Sequence, residues 1–137
     1  MDWVEKDIAI GNYLEAKDVE LLRKESIASA LSLDGTLFGI APASIGLKRI
    51  EAVRLDDGPG NDLRLFNSAI NALEALVREA PPVLVQCHAG RSRSVVVVAG
   101  YLMRHLNIDA RAALVRVGGK REIAITPGLE AILDKLA

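Results

Sequence analysis

The stretch VLVQCHAGRSRSVVVV, residues 83–98, places a group of polar side chains between two apolar runs. Its first three residues are typical of a buried strand, and its four valines begin an apolar segment that continues to Leu106. Valine favours strands, but a segment of more than ten residues without a turn signal favours a buried helix. We therefore predict a strand, a polar loop at residues 86–93, and a helix at residues 94–106.

The rest of the chain alternates short strands with helical patterns. Strands are predicted at residues 7–10, 27–33, 49–55 and 83–85. Helices are predicted at residues 15–24, 63–79, 94–106, 109–117 and 127–136, the last with Thr126 as its N-cap and Pro127 at its first position. This alternation indicates one α/β domain over residues 1–137, with a central, largely parallel sheet of about four to five strands flanked by helices.

Composition limits the classes of function. The chain has 137 residues, 50% of them apolar, and a formal net charge of −1. That length supports a buried core, and the charge gives no sign of a nucleic-acid partner. The start, MDWVEKDIAIGN, lacks the regions of a signal peptide, and no apolar run is long enough for a membrane span. We expect a cytoplasmic monomer that has no membrane span and binds no nucleic acid.

Cys87 is the single cysteine of the chain. It cannot form an internal disulfide or supply a thiolate zinc cluster. With only His88 and His105 as histidines, no metal-ligand spacing is present, and we expect neither a metal nor another cofactor. A cysteine at the end of an apolar strand is usually a small core residue. Two arginines and two serines follow this one closely, so we interpret Cys87 as a nucleophile.

The predicted loop at residues 86–93 joins the carboxyl end of a strand to the amino end of a helix, where α/β proteins bind ligands. Backbone N–H groups and the positive end of the helix dipole favour an anion there. The guanidinium of Arg93 can hold two oxygens of a phosphate at once. The same positive field would stabilise the thiolate of Cys87. An anion site that holds a nucleophile predicts attack on bound phosphorus.

Cys87, the five residues HAGRS, Arg93 and Ser94 resemble the active-site signature of the cysteine-dependent protein tyrosine phosphatase superfamily. Nearly the whole chain is similar to its small, atypical dual-specificity branch. IAIGNYLEAKDVELLRKESIASALSL resembles that branch's opening strand, helix and second strand, VRLDDGPGNDL its general-acid loop, and KREIAITPGLEAIL its closing loop and helix. The resemblance implies the protein tyrosine phosphatase fold.

The resemblance also implies a role for each matching residue. Cys87 would attack phosphorus and form a phosphocysteine, and Ser94 would donate a hydrogen bond to the sulfur and ease its departure in the second step. Arg93 would hold phosphate oxygens together with backbone N–H groups of the loop, which are those of His88, Ala89, Gly90, Arg91, Ser92 and Arg93. No metal or other cofactor is implied.

A leaving phenolate or alkoxide needs a proton, so a carboxylic acid must reach the site from another loop. The candidates are Asp56, Asp57 and Asp62, all in DDGPGND. Aspartate beside glycine and proline is also common in turns that have no other role. The match of VRLDDGPGNDL to the resembled acid loop favours Asp57 over Asp56. The same carboxylate would then activate water against the phosphocysteine.

Three residues leave alternatives open. The family usually has histidine where this chain has Gln86; glutamine can hydrogen-bond but carries no charge, so we expect a thiol that ionises less readily in an enzyme that stays active. Arg91 makes the loop basic, as in branches that act on phosphoinositides or phosphatidylglycerophosphate, or it is a solvated side chain at the loop rim. Arg121 lies where the family can place a second anion-binding arginine, or it is an ordinary surface charge.

We predict hydrolysis of a phosphorylated protein or a small phosphomonoester, with phosphotyrosine favoured over phosphoserine and phosphothreonine. A lipid or inositol phosphate phosphatase is the alternative within the same fold. A phosphate-binding module without turnover and sulfur transfer of the rhodanese kind are alternatives from other classes. A binding module needs no nucleophile, and the loop acid with Arg93 and Ser94 favours phosphate over sulfur chemistry.

Overall fold

The computed structural model describes residues 1–136, which contain a five-stranded sheet in the order β1-β2-β5-β3-β4. The strands are β1 (Asp2–Glu5), β2 (Ile8–Gly11), β3 (Ser29–Ser32), β4 (Arg49–Ala52) and β5 (Val83–Gln86). β1 runs antiparallel to β2, and every other neighbouring pair is parallel. The predicted α/β class with a largely parallel sheet is confirmed.

Helices cover both faces of the sheet. The α-helices of residues 1–136 are α1 (Val19–Lys24), α2 (Leu63–Glu79), α3 (Arg93–Leu106) and α4 (Ala110–Gly118), and shorter 3-10 helices lie at Glu15–Lys17, Pro42–Ile45 and Glu130–Lys135. The carboxylates of Asp62 and Asp109 accept backbone N–H groups and cap α2 and α4. Within the same described residues, no helix combines the length and the apolar character that a membrane crossing requires.

Two apolar clusters lie on opposite faces of the sheet, because successive strand side chains alternate. Ile8, Ile10, Val83 and Val85 pack against α2 and α3, whereas Leu84 faces the second cluster with Leu22 of α1. The valines at positions 95–98 are all 0% exposed. Full burial of such a side chain is worth about 1.5–3 kcal/mol. The low helix propensity of valine costs no more than about 0.7 kcal/mol per residue. The free energy gained by burying these side chains in the helix outweighs that cost.

The last predicted helix, residues 127–136, is wrong in type and start. Thr126 is not its N-cap: Leu129 stands at the N-cap of the helix that forms, and the Thr126 hydroxyl lies 3.4 Å from Ser92 Oγ. Gly128 has φ +89°, a left-handed conformation that an α-helix excludes, and it packs against Pro59. Only the 3-10 helix Glu130–Lys135 follows.

Other predicted bounds also need correction. The predicted helix at residues 15–24 breaks at Asp18, whose extended backbone and capping carboxylate start α1 afresh. Strand β1 is missing from the prediction, because a four-residue edge strand with an irregular register leaves only a weak alternation. Residues 53–55 lie outside β4, although the N–H groups of Val53 and Leu55 still donate to the carbonyls of Ser32 and Leu33.

Candidate active site

The loop between β5 and α3 lies where the carboxyl ends of three parallel strands meet. Gln86, the last residue of β5, is in register with Gly11 of β2 and with Ser32 of β3. Cys87 follows directly and is 2% exposed, and α3 begins at Arg93. The predicted order of buried strand, polar loop and buried helix is confirmed.

The sulfur of Cys87 faces the first turn of α3. Its Sγ lies 3.2 Å from Ser94 Oγ, and the backbone N–H of Ser94 points at the same sulfur from 3.5 Å. Both side chains are buried. The hydroxyl and the backbone N–H of Ser94 thus both lie within hydrogen-bond distance of the sulfur.

The backbone carbonyls of the loop bond to neighbouring segments, whereas its N–H groups have no backbone acceptor within residues 1–136. The carbonyls of His88 and Arg91 accept from the N–H groups of Tyr13 and Ala124 at 3.0 Å each. By contrast, no backbone N–H of residues 88–93 donates to a backbone carbonyl anywhere in residues 1–136. An added Cβ at Gly90, which has φ +69°, would lie 2.6 Å from the carbonyl oxygen of Gly11, so only glycine fits the turn. The free N–H groups form a concave donor set suited to an oxyanion.

The guanidinium of Arg93 completes this donor set. Its Nη1 donates to the carbonyl of Leu55 at 3.2 Å. Its Nε is buried and has no hydrogen-bond partner within residues 1–136. A buried N–H without an acceptor costs about 1–3 kcal/mol, which a bound anion would recover. The geometry therefore fits a tetrahedral oxyanion held beside Cys87.

Of the three candidate acids, Asp57 reaches the loop. Its Oδ1 accepts the hydroxyl of Ser92 at 2.7 Å. Asn61 holds the backbone N–H and the carbonyl of Asp56 at 2.8 Å each, and the carboxylate of Asp62 caps α2. The position of Asp57 agrees with the preference for it over Asp56.

Gln86 is buried in a polar network that sequence reasoning did not identify. Its Nε2 donates to Asp34 Oδ1 at 2.8 Å and to the carbonyl of Cys87 at 3.0 Å, and its Oε1 accepts the hydroxyl of Ser32 at 2.6 Å. Burial alone would raise the pKa of Asp34. The N–H and hydroxyl of Thr36, the Gln86 amide and the charge of Arg93 outweigh burial and lower that pKa. In α/β sheets, residues that follow the carboxyl ends of neighbouring strands form the ligand site. Asp34 directly follows the predicted strand at residues 27–33, and that position was the signal that could have revealed it.

Arg121 and Arg91 lie on the closing side of the loop. The Nε of Arg121 donates to the carbonyl of Gly90 at 2.5 Å, its Nη1 donates to Asp2 at 2.9 Å, and its side chain is 10% exposed. Arg91 is exposed and lies 3.9 Å from the carboxylate of Glu122. Arg121 thus joins the Gly90 carbonyl of the loop to Asp2 of β1. Its role as a second anion contact stays a prediction.

His88 is exposed at the mouth of the loop. Its ring stacks on Tyr13, with centroids 4.4 Å apart and planes 4° apart. Tyr13 follows β2 and donates its N–H to the carbonyl of His88. The stack and the hydrogen bond together fix the first residue after Cys87.

Comparison with known proteins assigns the family. The dual specificity phosphatase catalytic domain matches residues 18–133. The chain belongs to the dual specificity phosphatase family. The predicted family is thereby confirmed, and so is the predicted fold, because the most similar structures share it.

The individual relatives support this assignment. The chain is 32% identical to dual specificity phosphatase 28 of Mus musculus over 115 residues, which are 84% of this chain and 69% of that protein. It is 31% identical to dual specificity protein phosphatase 22 of Xenopus tropicalis over 124 residues, 90% of this chain and 58% of that protein. The chain thus spans only part of the length of these relatives.

A solved structure covers nearly all of the chain. A mouse putative dual specificity phosphatase complexed with zinc tungstate superposes with a TM-score of 0.82 at 33% identity, over 98% of this chain and 84% of the mouse chain.

Proposed function

We propose that this chain hydrolyses phosphomonoesters through a phosphocysteine intermediate, as a tyrosine or dual-specificity phosphatase. One observation carries the proposal: the Nε of Arg93, at the start of α3 and six residues after Cys87, is buried and has no hydrogen-bond partner within residues 1–136. Transfer of a phosphoryl group requires a nucleophile and, beside it, hydrogen-bond donors that are free to bind the phosphoryl oxygens.

In the first step, the thiolate of Cys87 attacks phosphorus, and the bond from phosphorus to the leaving oxygen breaks. Arg93 and the N–H groups of residues 88–93 hold the remaining phosphoryl oxygens, where charge is present throughout the reaction. Asp57 gives its proton to the leaving oxygen, so a phenol or alcohol departs in place of an unstable anion.

In the second step, the ionised Asp57 takes a proton from water as the water oxygen attacks phosphorus. The bond from sulfur to phosphorus breaks, and Cys87 leaves as a thiolate. The hydroxyl of Ser94, 3.2 Å from the sulfur, donates to the charge that develops there. Inorganic phosphate is released and Asp57 is again protonated.

The tungstate complex of the mouse relative supports the proposed anion site. Tungstate is a tetrahedral oxyanion, as phosphate is, and the mouse protein superposes over 98% of this chain. We propose that residues 87–93 bind oxyanions of this shape.

Two observations bear on the substrate class. The alternative, a phosphoinositide or phosphatidylglycerophosphate phosphatase, was suggested by the charge of Arg91. The carboxylate of Glu122 lies 3.9 Å from Arg91, but both side chains are exposed and the pair is weak. We favour phosphorylated protein over lipid phosphate because the dual specificity phosphatase catalytic domain matches residues 18–133. A single-domain organisation, a cytoplasmic location, a monomeric state, the absence of a cofactor and the absence of a nucleic-acid partner stay predictions.

Turnover of para-nitrophenyl phosphate by the native chain and by Cys87→Ser tests the proposal. We expect hydrolysis by the native chain and a loss of at least about 10³-fold in the variant, since the nucleophile is the first requirement of the mechanism. Ser68→Ala, which changes an exposed serine on α2, is the control for purification and assay. Equal rates for the native chain and Cys87→Ser would contradict the proposed function.

A further inference from the structure

Ser92 stands at the N-cap position of α3, but its side chain does not cap the helix. A serine there usually accepts a backbone N–H from the first turn. In this chain the Ser92 hydroxyl makes no such bond. The side chain instead contacts two other loops.

The Ser92 hydroxyl joins the acid loop to the closing loop. It donates to Asp57 Oδ1 at 2.7 Å, and it accepts the backbone N–H of Thr126 at 2.9 Å. The hydroxyl oxygen of Thr126 lies 3.4 Å away. Ser92 is therefore the one residue of the catalytic loop whose side chain touches the proposed general acid.

The closing loop holds Thr126 at a fixed place relative to the catalytic loop. The N–H of Ala124 donates to the carbonyl of Arg91 at 3.0 Å, and Arg121 donates to the carbonyl of Gly90. Arg121 is in turn held by Asp2 of β1. The N–H of Thr126 thus reaches Ser92 from a segment that is hydrogen-bonded to the carbonyls of Gly90 and Arg91.

A hydroxyl can donate one hydrogen bond and accept two. When Asp57 is ionised, Ser92 donates to Oδ1 and accepts the N–H of Thr126. When Asp57 carries its proton on Oδ2, Ser92 still donates to Oδ1, so the acid proton stays available for the leaving oxygen. The N–H of Thr126 donates to Ser92 in both states, and this bond holds the Ser92 oxygen while the charge of Asp57 changes.

We propose that Ser92 and Thr126 are positioning residues that hold Asp57 toward the leaving oxygen in both of its protonation states. The hydroxyl of Ser92 donates to Oδ1 of Asp57, while the N–H of Thr126 fixes the Ser92 oxygen. This role rests on the proposed function, because it concerns the general acid of that reaction. It assigns to the Ser92 side chain a task separate from the phosphate contact of its backbone N–H.

Two substrates with different leaving groups show whether Ser92→Ala misplaces the general acid Asp57 or disturbs the whole catalytic loop. Phenyl phosphate needs a proton on its leaving oxygen, whereas 2,4-dinitrophenyl phosphate releases a stable phenolate without one. A positioned acid contributes roughly 10²–10⁴-fold, so Ser92→Ala should lower kcat/KM on phenyl phosphate about tenfold. The same variant should leave kcat/KM on 2,4-dinitrophenyl phosphate nearly unchanged, because kcat/KM reports only the steps up to formation of the phosphocysteine. Ser44→Ala, an exposed serine on the 3-10 helix Pro42–Ile45, is the matched control.

A double-mutant cycle shows whether Ser92 acts through Asp57. Adding Ser92→Ala to Asp57→Ala should cause no further loss on phenyl phosphate, because the group that Ser92 holds is already absent. Thr126→Val keeps the backbone N–H and removes the hydroxyl; it should give a smaller loss with the same difference between substrates. Should Ser92→Ala fail to fold, Thr126→Val alone decides by that difference.

The outcomes distinguish this inference from the proposed function. Equal losses on the two substrates, or a further loss in the Asp57→Ala background, would overturn the role of Ser92 while leaving the phosphatase activity intact. A native chain that does not hydrolyse 2,4-dinitrophenyl phosphate would instead contradict the proposed function itself.

Discussion

The guanidinium of Arg93 donates to the carbonyl of Leu55 across 3.2 Å and so joins the anion site to the loop that carries Asp57. Leu55 is buried, and Asp57 lies two residues beyond it. A phosphoryl group bound by Arg93 is therefore held at a defined position relative to the proposed acid. We therefore predict that Arg93 both binds the anion and aligns it with Asp57.

Arg93→Lys should lower kcat/KM on para-nitrophenyl phosphate by about 10²–10³-fold, the usual effect of losing a donor to a charged transition state. A lysine is a point charge and cannot contact phosphate oxygens and the Leu55 carbonyl together. Arg91→Lys, at the exposed rim of the same loop, should change the rate little. Steady-state kinetics of the two variants make the comparison, and a larger effect at position 91 would show that the wrong arginine is assigned.

Asp57→Ala should slow aryl phosphate hydrolysis by roughly 10²–10⁴-fold, the contribution of a general acid. Vanadate inhibition should be unchanged, because the donors that bind the anion belong to the other loop. Asp56→Ala is the matched variant, since it changes the adjacent aspartate, whose backbone Asn61 holds. If Asp56→Ala has the larger effect on turnover, the acid is Asp56.

Ser94→Ala should slow breakdown of the phosphocysteine more than its formation. The hydroxyl of Ser94 lies 3.2 Å from the sulfur and can donate to it when the thiolate leaves; one lost donor of this kind costs about 10²-fold. Rapid-quench measurements should then show a burst of released phenol followed by slow turnover. Single-phase kinetics with both steps slowed equally would contradict this role.

Asp34 should stabilise the fold in a pH-dependent way. Burial alone would raise its pKa, but its hydrogen bonds and the charge of Arg93 lower it below the ordinary value. A lowered pKa in the folded state contributes stability that is fully present above the unfolded pKa of about 3.9 and is lost as pH falls through the lower, folded value. The free energy of unfolding of the native chain should thus exceed that of Asp34→Asn above about pH 5, and the difference should shrink toward pH 3.

Chemical denaturation at several pH values measures this difference. Asp56→Asn, which changes an exposed aspartate, is the control and should show no comparable trend. A difference between the native chain and Asp34→Asn that grows as the pH falls would show that the protonated carboxyl, not the carboxylate, is the form that the network binds.

Local sequence patterns were sufficient to predict the catalytic loop, the strand before it and the helix after it. An apolar strand, a polar segment and a long apolar run without turn residues leave few alternatives, and burial of Val95 to Val98 on every side explains why the run is helical. The grouping of Cys87, Arg93 and Ser94 followed from their spacing along the same loop.

Contacts between distant segments could not be derived in this way. Asp34 reaches Gln86 because β3 lies beside β5 in the sheet, and Thr126 reaches Ser92 across the closing loop. Residue patterns within either segment do not encode these pairings. Thr126 was interpreted as a helix cap since a threonine before proline is common there, but Gly128 turns the chain away.

The most direct test of the account is detection of the covalent intermediate. Ser94→Ala is mixed with para-nitrophenyl phosphate, quenched in acid within the burst, digested and analysed by mass spectrometry. The account predicts one added phosphoryl group on the peptide that contains Cys87, and none in the Ser94→Ala/Cys87→Ser double variant. Turnover without a phosphorylated Cys87 peptide, or with the phosphoryl group on another residue, would contradict it.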